Sequence, residues 1–429
     1  MVSDPLPPTR PEPVPHTAPL WERLLQSRYA RVIKNFVVLP LIGTLISGMV
    51  IGRIVDTFIG SKEYFVYVVG DDSDASTSEL MKEAAAKGDF KSKRNNITIK
   101  TDRRNELGDP EKAQSIAKEL VRRPDVLMVV GHGSSSSSQK ALPIYLQADP
   151  PIPVILTTET NPNLSAQNDD RVPPVFRLFP TDDNQAKVAA CFIAKQNPKS
   201  VWIVEDASNP TYSRYLAKKF LEDVYDKKPS LKVVLWSNNL NLPPYAVDKL
   251  GIDWVFFAGD WRNALVLIRQ LQAMQGTKKA KVLLSDASAD KLLLRYGEMD
   301  VQGVYLLHPL SADAFNKTAY KVVGAEAYEL ADALIAGAHQ DFEQLATDAA
   351  PIGYRLRRWL GLRRVSDERR ALAGFMEKSV RKQTLFSLTE SQIRMFEEDR
   401  LVIRKNASFH VWRIDNNSFI EDHTSGDCE

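Results

Sequence analysis

The chain has 429 residues, of which 44% are hydrophobic and 26% charged, with a formal net charge of +2. That length exceeds one simple core and implies two lobes plus appendages, and the near balance of charge gives no reason to expect nucleic acid. The two cysteines, Cys191 in an apolar helix-like run and Cys428 near the end, suggest neither a metal cluster nor a disulfide framework.

The first nineteen residues hold seven prolines and no periodic apolar pattern, so they read as a disordered tail, which with a basic juxtamembrane segment covers 1–34. Phe36 to Gly52 is an uncharged run of about seventeen residues, near the lower limit for a spanning helix. Arg23, Arg28, Arg31 and Lys34 precede it and, by the positive-inside rule, hold the N-terminus in the cytoplasm. A single-pass transmembrane signal anchor is expected over 35–59, with the rest of the chain extracytoplasmic. A cleaved signal peptide is the rival, but no clear A-x-A site or lipobox cysteine follows. A buried core helix is the other alternative, against which the run is apolar all round instead of striped.

From Glu63 strands and helices alternate. Strands are expected at Phe65–Gly70, Ile97–Thr101, Val126–Gly131, Ile152–Thr157 and Phe176–Phe179, with helices at Ser78–Lys87 and Pro110–Arg122, the latter opening on Asp109 and Pro110. After a break at Pro180 to Asn184 the alternation resumes, through strands at Val201–Glu205, Leu231–Trp236, Trp254–Gly259, Lys281–Asp286 and Gly303–His308, with helices at Gln185–Lys195, Tyr212–Tyr225 and Arg262–Met274. Two parallel, doubly wound α/β halves follow from this layout.

Between the strand VLMVV and a helix-like segment Gln139–Leu146 stands the turn GHGSSSSS, Gly131 to Ser138. The first N–H groups of a helix lack partners and carry partial positive charge, and serine hydroxyls add donors, so a carboxylate or phosphate sits well there. The plain alternative is one capping serine among filler. About twenty residues on, IPVIL ends in a second hydroxyl-rich turn, Thr157 to Pro162, and ligands of parallel α/β sheets bind beyond the carboxyl ends of strands.

Enzyme signatures are lacking. GHGSSS has Ser136 where a dinucleotide fingerprint has its third glycine, the turn is not G-x-S-x-G, and no Walker A lysine pattern or H-E-x-x-H occurs. A catalytic His132 with Ser134 or Ser135 would need an orienting carboxylate, which the sequence alone does not identify. No cofactor is implied.

The order GHGSSSSSQ, IPVILTTETNPNLS, VFRLFPTDDNQAKVAACFIA, SVWIVEDASNPTYSRYLAKKFLED, then IDWVFFAGDWRNALVLIRQLQ and GVYLLHP, resembles type I periplasmic solute-binding proteins, specifically the branched-chain amino-acid-binding branch, over roughly residues 62–340. The resemblance implies a two-lobed clamp joined by hinge strands, one lobe from 62–180 plus about 309–385 and the other from 181–308 plus about 395–420. It implies that Ser135 holds an amino-acid carboxylate, that Thr158 and Thr160 meet carboxylate and amine, and that Tyr212 closes over the ligand. A second family aromatic falls on Asp260, with Trp261 beside it, and the acidic position for the amine lies near Ser285 to Ser288, where Asp286 is the only carboxylate. The first loop, GDDSDASTS, departs from the Gly-rich pattern usual there.

Chemistry supports the same set: a zwitterion needs anion donors, which Ser135 and Ser136 supply, opposite acceptors such as Asp260 or Asp286, with aromatic faces from Tyr212 and Trp261 over the ammonium. The plain alternatives are that Tyr212 only packs its helix, Trp261 is interlobe packing and Asp286 caps a helix. Farther on, Tyr354 to Val365 is basic and amphipathic, either a solvated helix face or a contact for anionic lipid or a partner. Phe409 to Ile414 alternates as a strand. The expectation is thus a membrane-anchored receptor for a small polar, amino-acid-like molecule, working with an ABC permease or a signalling partner. The alternative is a tethered sensory or interaction module on a degenerate binding-protein fold.

Overall fold

The computed structural model describes residues 62–72, 75–86, 97–164, 175–236, 251–273, 280–318, 320–345, 365–381, 385–387, 392–395, 402–404, 408–423 and 428. The expected anchor over 35–59 and nearly all of the basic stretch from Tyr354 lie outside them. Among the described residues no helix is long and apolar enough to cross a membrane.

The first sheet is built from β1 (Lys62–Gly70), β2 (Ile97–Asn105), β3 (Val126–Gly131), β4 (Val154–Leu156) and β5 (Phe176–Arg177), in the parallel order 2-1-3-4-5. Every residue of β3 is buried, as expected of a strand covered by helices on both faces. Helices α1 (Ala75–Ala86), α2 (Pro110–Arg122) and α3 (Ser135–Leu146) connect the first four strands. Asp109 caps α2 by accepting the Glu111 N–H at 2.9 Å, with Pro110 in the first turn where its missing donor costs nothing.

After β5 the chain enters α4 (Asp182–Lys195) and repeats the winding with β6 (Ser200–Glu205), α5 (Pro210–Lys227), β7 (Lys232–Trp236), β8 (Trp254–Ala258), α6 (Trp261–Ala273), β9 (Lys281–Leu284), α7 (Lys291–Gly297) and β10 (Tyr305–His308). The parallel order, 7-6-8-9-10, matches that of the first sheet. The helix α8 (Ala312–Thr318) stays with this lobe, Asn316 donating to the Phe419 carbonyl at 2.7 Å. The long α9 (Lys321–Leu345) packs on α1, where Gly324 allows the approach: a Cβ there would stand 2.4 Å from the Leu80 carbonyl oxygen.

The C-terminal part divides between the lobes. Helix α10 (Val365–Arg381) packs on β3 and α9, and β11 (Leu385–Ser387), β12 (Gln392–Met395) and β13 (Val402–Arg404) extend the first sheet, β13 running parallel to β5. A second-lobe return from about 395 therefore differs from the observed pairing, in which, among the described residues of this tail, β14 (His410–Asp415) and β15 (Ser418–Glu421) join the second sheet, β14 antiparallel to β10 and β15 antiparallel to β14. Trp412 of β14 is fully buried among His308, Phe315 and Phe419.

The cysteines correct the sequence reading. Cys191 of α4 and Cys428 form a disulfide, S–S 2.05 Å, across a sequence separation of 237 residues. Local spacing carries no trace of a pairing that only the folded path creates.

Candidate functional site

The strands of both sheets end at a common cavity of about 500 Å³, within the usual range for small-molecule sites. Its first-lobe wall is mainly polar and hydroxyl-bearing, with Ser134, Ser135, Thr158 and Thr160; its second-lobe wall carries Tyr212, Asp260, Trp261 and Asp286. Seven of the eight expected site residues thus line one cavity. Ser136 is the exception.

The serine run is not a loop before a helix at Gln139. It is the first turn of α3, capped by Ser134, whose Oγ accepts the Ser137 N–H at 3.2 Å. The cap satisfies one orphan donor at the helix start, and Ser135 through Ser138 are buried. The preceding backbone demands glycine: Gly131 has φ +118°, and a Cβ there would lie 2.0 Å from the Val69 carbonyl oxygen.

Glu106, just after β2, holds the same turn. Its carboxylate bonds His132 Nδ1 and accepts the Gly133 N–H at 2.9 Å, while His132 Nε2 meets the Tyr145 hydroxyl at 3.3 Å. Glu106 is therefore the carboxylate partner of His132 that the sequence did not reveal. Both ring nitrogens are engaged inside the lobe, neither of them with a serine of the run. Burial, then the Glu106 charge, pushes the Tyr145 hydroxyl well above its ordinary range.

The second hydroxyl turn is organised by Glu159 and Arg177, both essentially fully buried. Glu159 accepts the N–H groups of Thr157 and Thr158 at 2.7 and 3.0 Å and the Ser138 hydroxyl at 2.7 Å, tying the two turns together. Arg177 donates to the Glu159 and Asn161 carbonyls, each at 2.7 Å. Burial raises the Glu159 carboxyl and lowers the Arg177 guanidinium to about 10. Thr158 and Thr160 thus stand on a backbone fixed from below.

In the second-lobe wall, the Tyr212 hydroxyl donates to Asp286 Oδ1 at 2.5 Å and lies 3.2 Å from Gln185 Oε1. Asp182 sits behind, completely buried, its N–H donating to the Thr160 carbonyl at 2.8 Å. Burial raises both the Asp182 and Asp286 carboxyls, and the charge of Asp286 raises Asp182 further. Asp260 caps α6, accepting the N–H groups of Arg262 and Asn263 at 2.6 and 3.1 Å. The Trp261 ring stacks with Tyr296 at 5.9 Å and carries the Arg262 guanidinium 4.9 Å from its centroid, so it is engaged already by protein groups.

Direct hydrogen bonds cross between the lobes. Asn209 Oδ1 accepts from Ser136 N–H at 3.2 Å and Ser136 Oγ at 2.7 Å; Thr211 Oγ1 is 2.7 Å from Gln139 Oε1, and Asn161 Nδ2 donates to the Thr211 carbonyl at 2.6 Å. Ser136 is thereby spent on the opposite lobe and stands outside the cavity lining. Asn209, Glu106, Arg177 and Asp182 had no local signal in the sequence, since each acts on a partner far along the chain.

Two identically wound lobes joined across a polar cavity define a clamp-type binding protein. Residues 67–339 match the model of the periplasmic binding protein family, and the chain belongs to that family. An amino acid binding protein of Pseudomonas aeruginosa is 28% identical over 185 residues, 42% of this chain and 47% of its own length, so the match spans about half of that curated relative. Among solved structures, the leucine binding protein LivK of Thermotoga maritima is similar, with TM-score 0.64 and 18% identity, over 84% of this chain and 97% of that one. The branched-chain amino-acid transporter substrate binding protein LivJ of Streptococcus pneumoniae, in complex with isoleucine, gives TM-score 0.60 at 17% identity, covering 84% and 100%. An ABC-transporter solute binding protein of Rhodopseudomonas palustris, in complex with 3,4-dihydroxybenzoic acid, gives 0.61 at 16%, covering 84% and 96%. At such identities these structures share the fold, and the fold serves ligands as different as an aliphatic amino acid and an aromatic acid.

Proposed function

We propose that this chain is a membrane-anchored, extracytoplasmic solute-binding protein that captures a small polar, amino-acid-like ligand between its lobes by hinge closure, as the receptor of an ABC-type importer or sensing system. The observation that carries this reading is the cavity where Ser135, Thr158 and Thr160 face Tyr212 and Asp286. The hydroxyls of Ser135 and Thr158 suit a carboxylate, and Asp286 suits an ammonium.

Family membership supports an extracytoplasmic setting, and so does the Cys191–Cys428 bridge, because disulfides persist in oxidising compartments. The apolar run over 35–59 and its basic N-terminal flank support the anchor. The test is thermal unfolding of the full chain in detergent against amino acids, short peptides and small carboxylates. A ligand at a hundredfold excess over its dissociation constant stabilises by about 2.7 kcal/mol. A shift lost in Ser135→Ala supports the cleft; no shift with any compound rejects the reading.

A further inference from the structure

The turn after β2 carries an exposed leucine against the preference of its own backbone. Leu107 has φ +58° and Gly108 φ +65°, and the Asp109 N–H donates to the Glu106 carbonyl at 3.0 Å across them. Positive φ at both central residues of a four-residue turn is the type I′ arrangement, which favours Asn, Asp or Gly at the first of them. Gly108 meets that demand. Leu107 does not, because a Cβ in the left-handed region crowds the carbonyl oxygen that follows it.

The turn is firmly mounted. Asn105 Oδ1 accepts the Leu107 N–H at 2.9 Å and the Asp72 N–H at 3.2 Å, and the Glu106 N–H donates to the Gly70 carbonyl at 2.9 Å. Glu106 is fully buried, and its carboxylate accepts the Gly133 N–H beside the serine run. Leu107 is thereby fixed relative to Ser134 and Ser135. In return its side chain adds little to the fold, being 55% exposed and outside the apolar clusters of both lobes. A single exposed apolar side chain is ordinary on a protein surface. Leu107 differs from the other large exposed ones among the described residues, Tyr225, Val266, Tyr296, Met299 and Ile420, in lining the cavity.

We infer that Leu107 is a specificity-determining residue of the cleft, the first-lobe surface on which the apolar part of the ligand's side chain packs while the carboxylate is held at Ser135. This rests on the amino-acid reading above and adds where the side chain of that ligand lies. A strained backbone, a rigid mounting and an exposed apolar group on the wall of a binding space serve that one purpose: the cost of the turn is offset when the ligand covers the leucine.

Two variants separate the contact from the turn. Leu107→Asn suits positive φ and removes the apolar surface, whereas Leu107→Ala removes the surface and keeps the strain. The thermal midpoint of ligand-free Leu107→Asn stays level or rises by about 1 to 3 °C. Calorimetric titration of the full chain in detergent uses L-leucine, L-methionine, L-phenylalanine, L-serine and L-glutamate. The tightest of the first three is weakened by about tenfold in both variants. Affinity within about twofold of the unaltered protein in Leu107→Ala overturns the inference. So does a lost affinity accompanied by a ligand-free midpoint lowered by more than about 3 °C in Leu107→Asn, which marks Leu107 as a packing residue of the fold. Serine or glutamate binding more tightly than all three apolar amino acids also overturns it and leaves the amino-acid reading standing. Binding of none of the five removes the amino-acid reading, and this inference with it.

Discussion

Asn209, at the start of α5, turns its side-chain oxygen away from its own helix and onto Ser136 of the opposite lobe, accepting the Ser136 N–H at 3.2 Å and its hydroxyl at 2.7 Å. The helix it precedes receives no side-chain cap from it. An asparagine in that position usually caps. Here the capping energy is redirected to holding the two lobes together, and the Asn209 oxygen takes the helix-start donor that a carboxylate would otherwise use.

Asn209→Ala should therefore loosen closure without unfolding the protein. The expected outcome is a larger radius of gyration by small-angle scattering in the ligand-free state, with stability lowered by less than about 1 kcal/mol, because no cap is lost. Asn209→Asp, which puts a carboxylate on the same two donors, should stay compact. An unchanged scattering profile in the alanine variant would mean that other contacts set closure.

The buried carboxyls make a pH prediction. Asp182, Asp286 and Glu159 all have raised folded-state values, with burial the first cause. A raised carboxyl binds its proton more tightly folded than unfolded, so its stabilisation is full below the ordinary carboxylate range and is lost as pH rises through the folded value. The unfolding midpoint of the ligand-free protein should fall as pH rises above the ordinary carboxylate range, and Asp182→Asn should flatten that slope and raise the midpoint at neutral pH. A midpoint that rises steadily over the same range in both proteins would contradict this.

Much of this architecture was legible locally. The β-α alternation and the hydroxyl-rich ends of β3 and β4 are short-range patterns, a buried run, then a turn, then a helix start, whereas Tyr212, Asp260 and Asp286 followed only from the resemblance to the solute-binding family. What was not legible is pairing at a distance. His132 and Glu106 lie 26 residues apart, Ser136 and Asn209 lie 73 apart, and the disulfide spans 237. The serine run misled in another way, because its poor helix propensity is outweighed by the Ser134 cap and by burial against Glu159.

Arg369 illustrates the same gap in the region where β11–β13 join the first sheet. Buried on α10, it donates to the Val126 carbonyl at 2.6 Å and the Arg123 carbonyl at 3.2 Å, with its guanidinium lowered by burial to about 10. Arg369→Ala should cost about 2 to 3 kcal/mol by denaturant unfolding, since it removes a charged donor and leaves the Val126 acceptor bare. A loss below about 0.5 kcal/mol would show that α10 is held by its apolar face alone.

Reduction of the Cys191–Cys428 bridge, or Cys191→Ser with Cys428→Ser, should lower stability by about 2 to 4 kcal/mol while ligand affinity persists, because the bridge lies outside the cavity lining. Thiol titration of protein isolated from its native source gives the direct reading. Two free thiols under non-reducing conditions would remove the support the bridge gives to an extracytoplasmic setting.

The most direct measurement of the central claim is calorimetric titration of the full chain with the best ligand from the amino-acid series, beside Ser135→Ala with Thr158→Ala. These two hydroxyls line the cavity, and Thr160 is left intact because it meets Asp182. The account predicts one site per chain in the unaltered protein and a loss of at least about tenfold in the variant. Equal affinity in both proteins would place the ligand elsewhere and contradict the account.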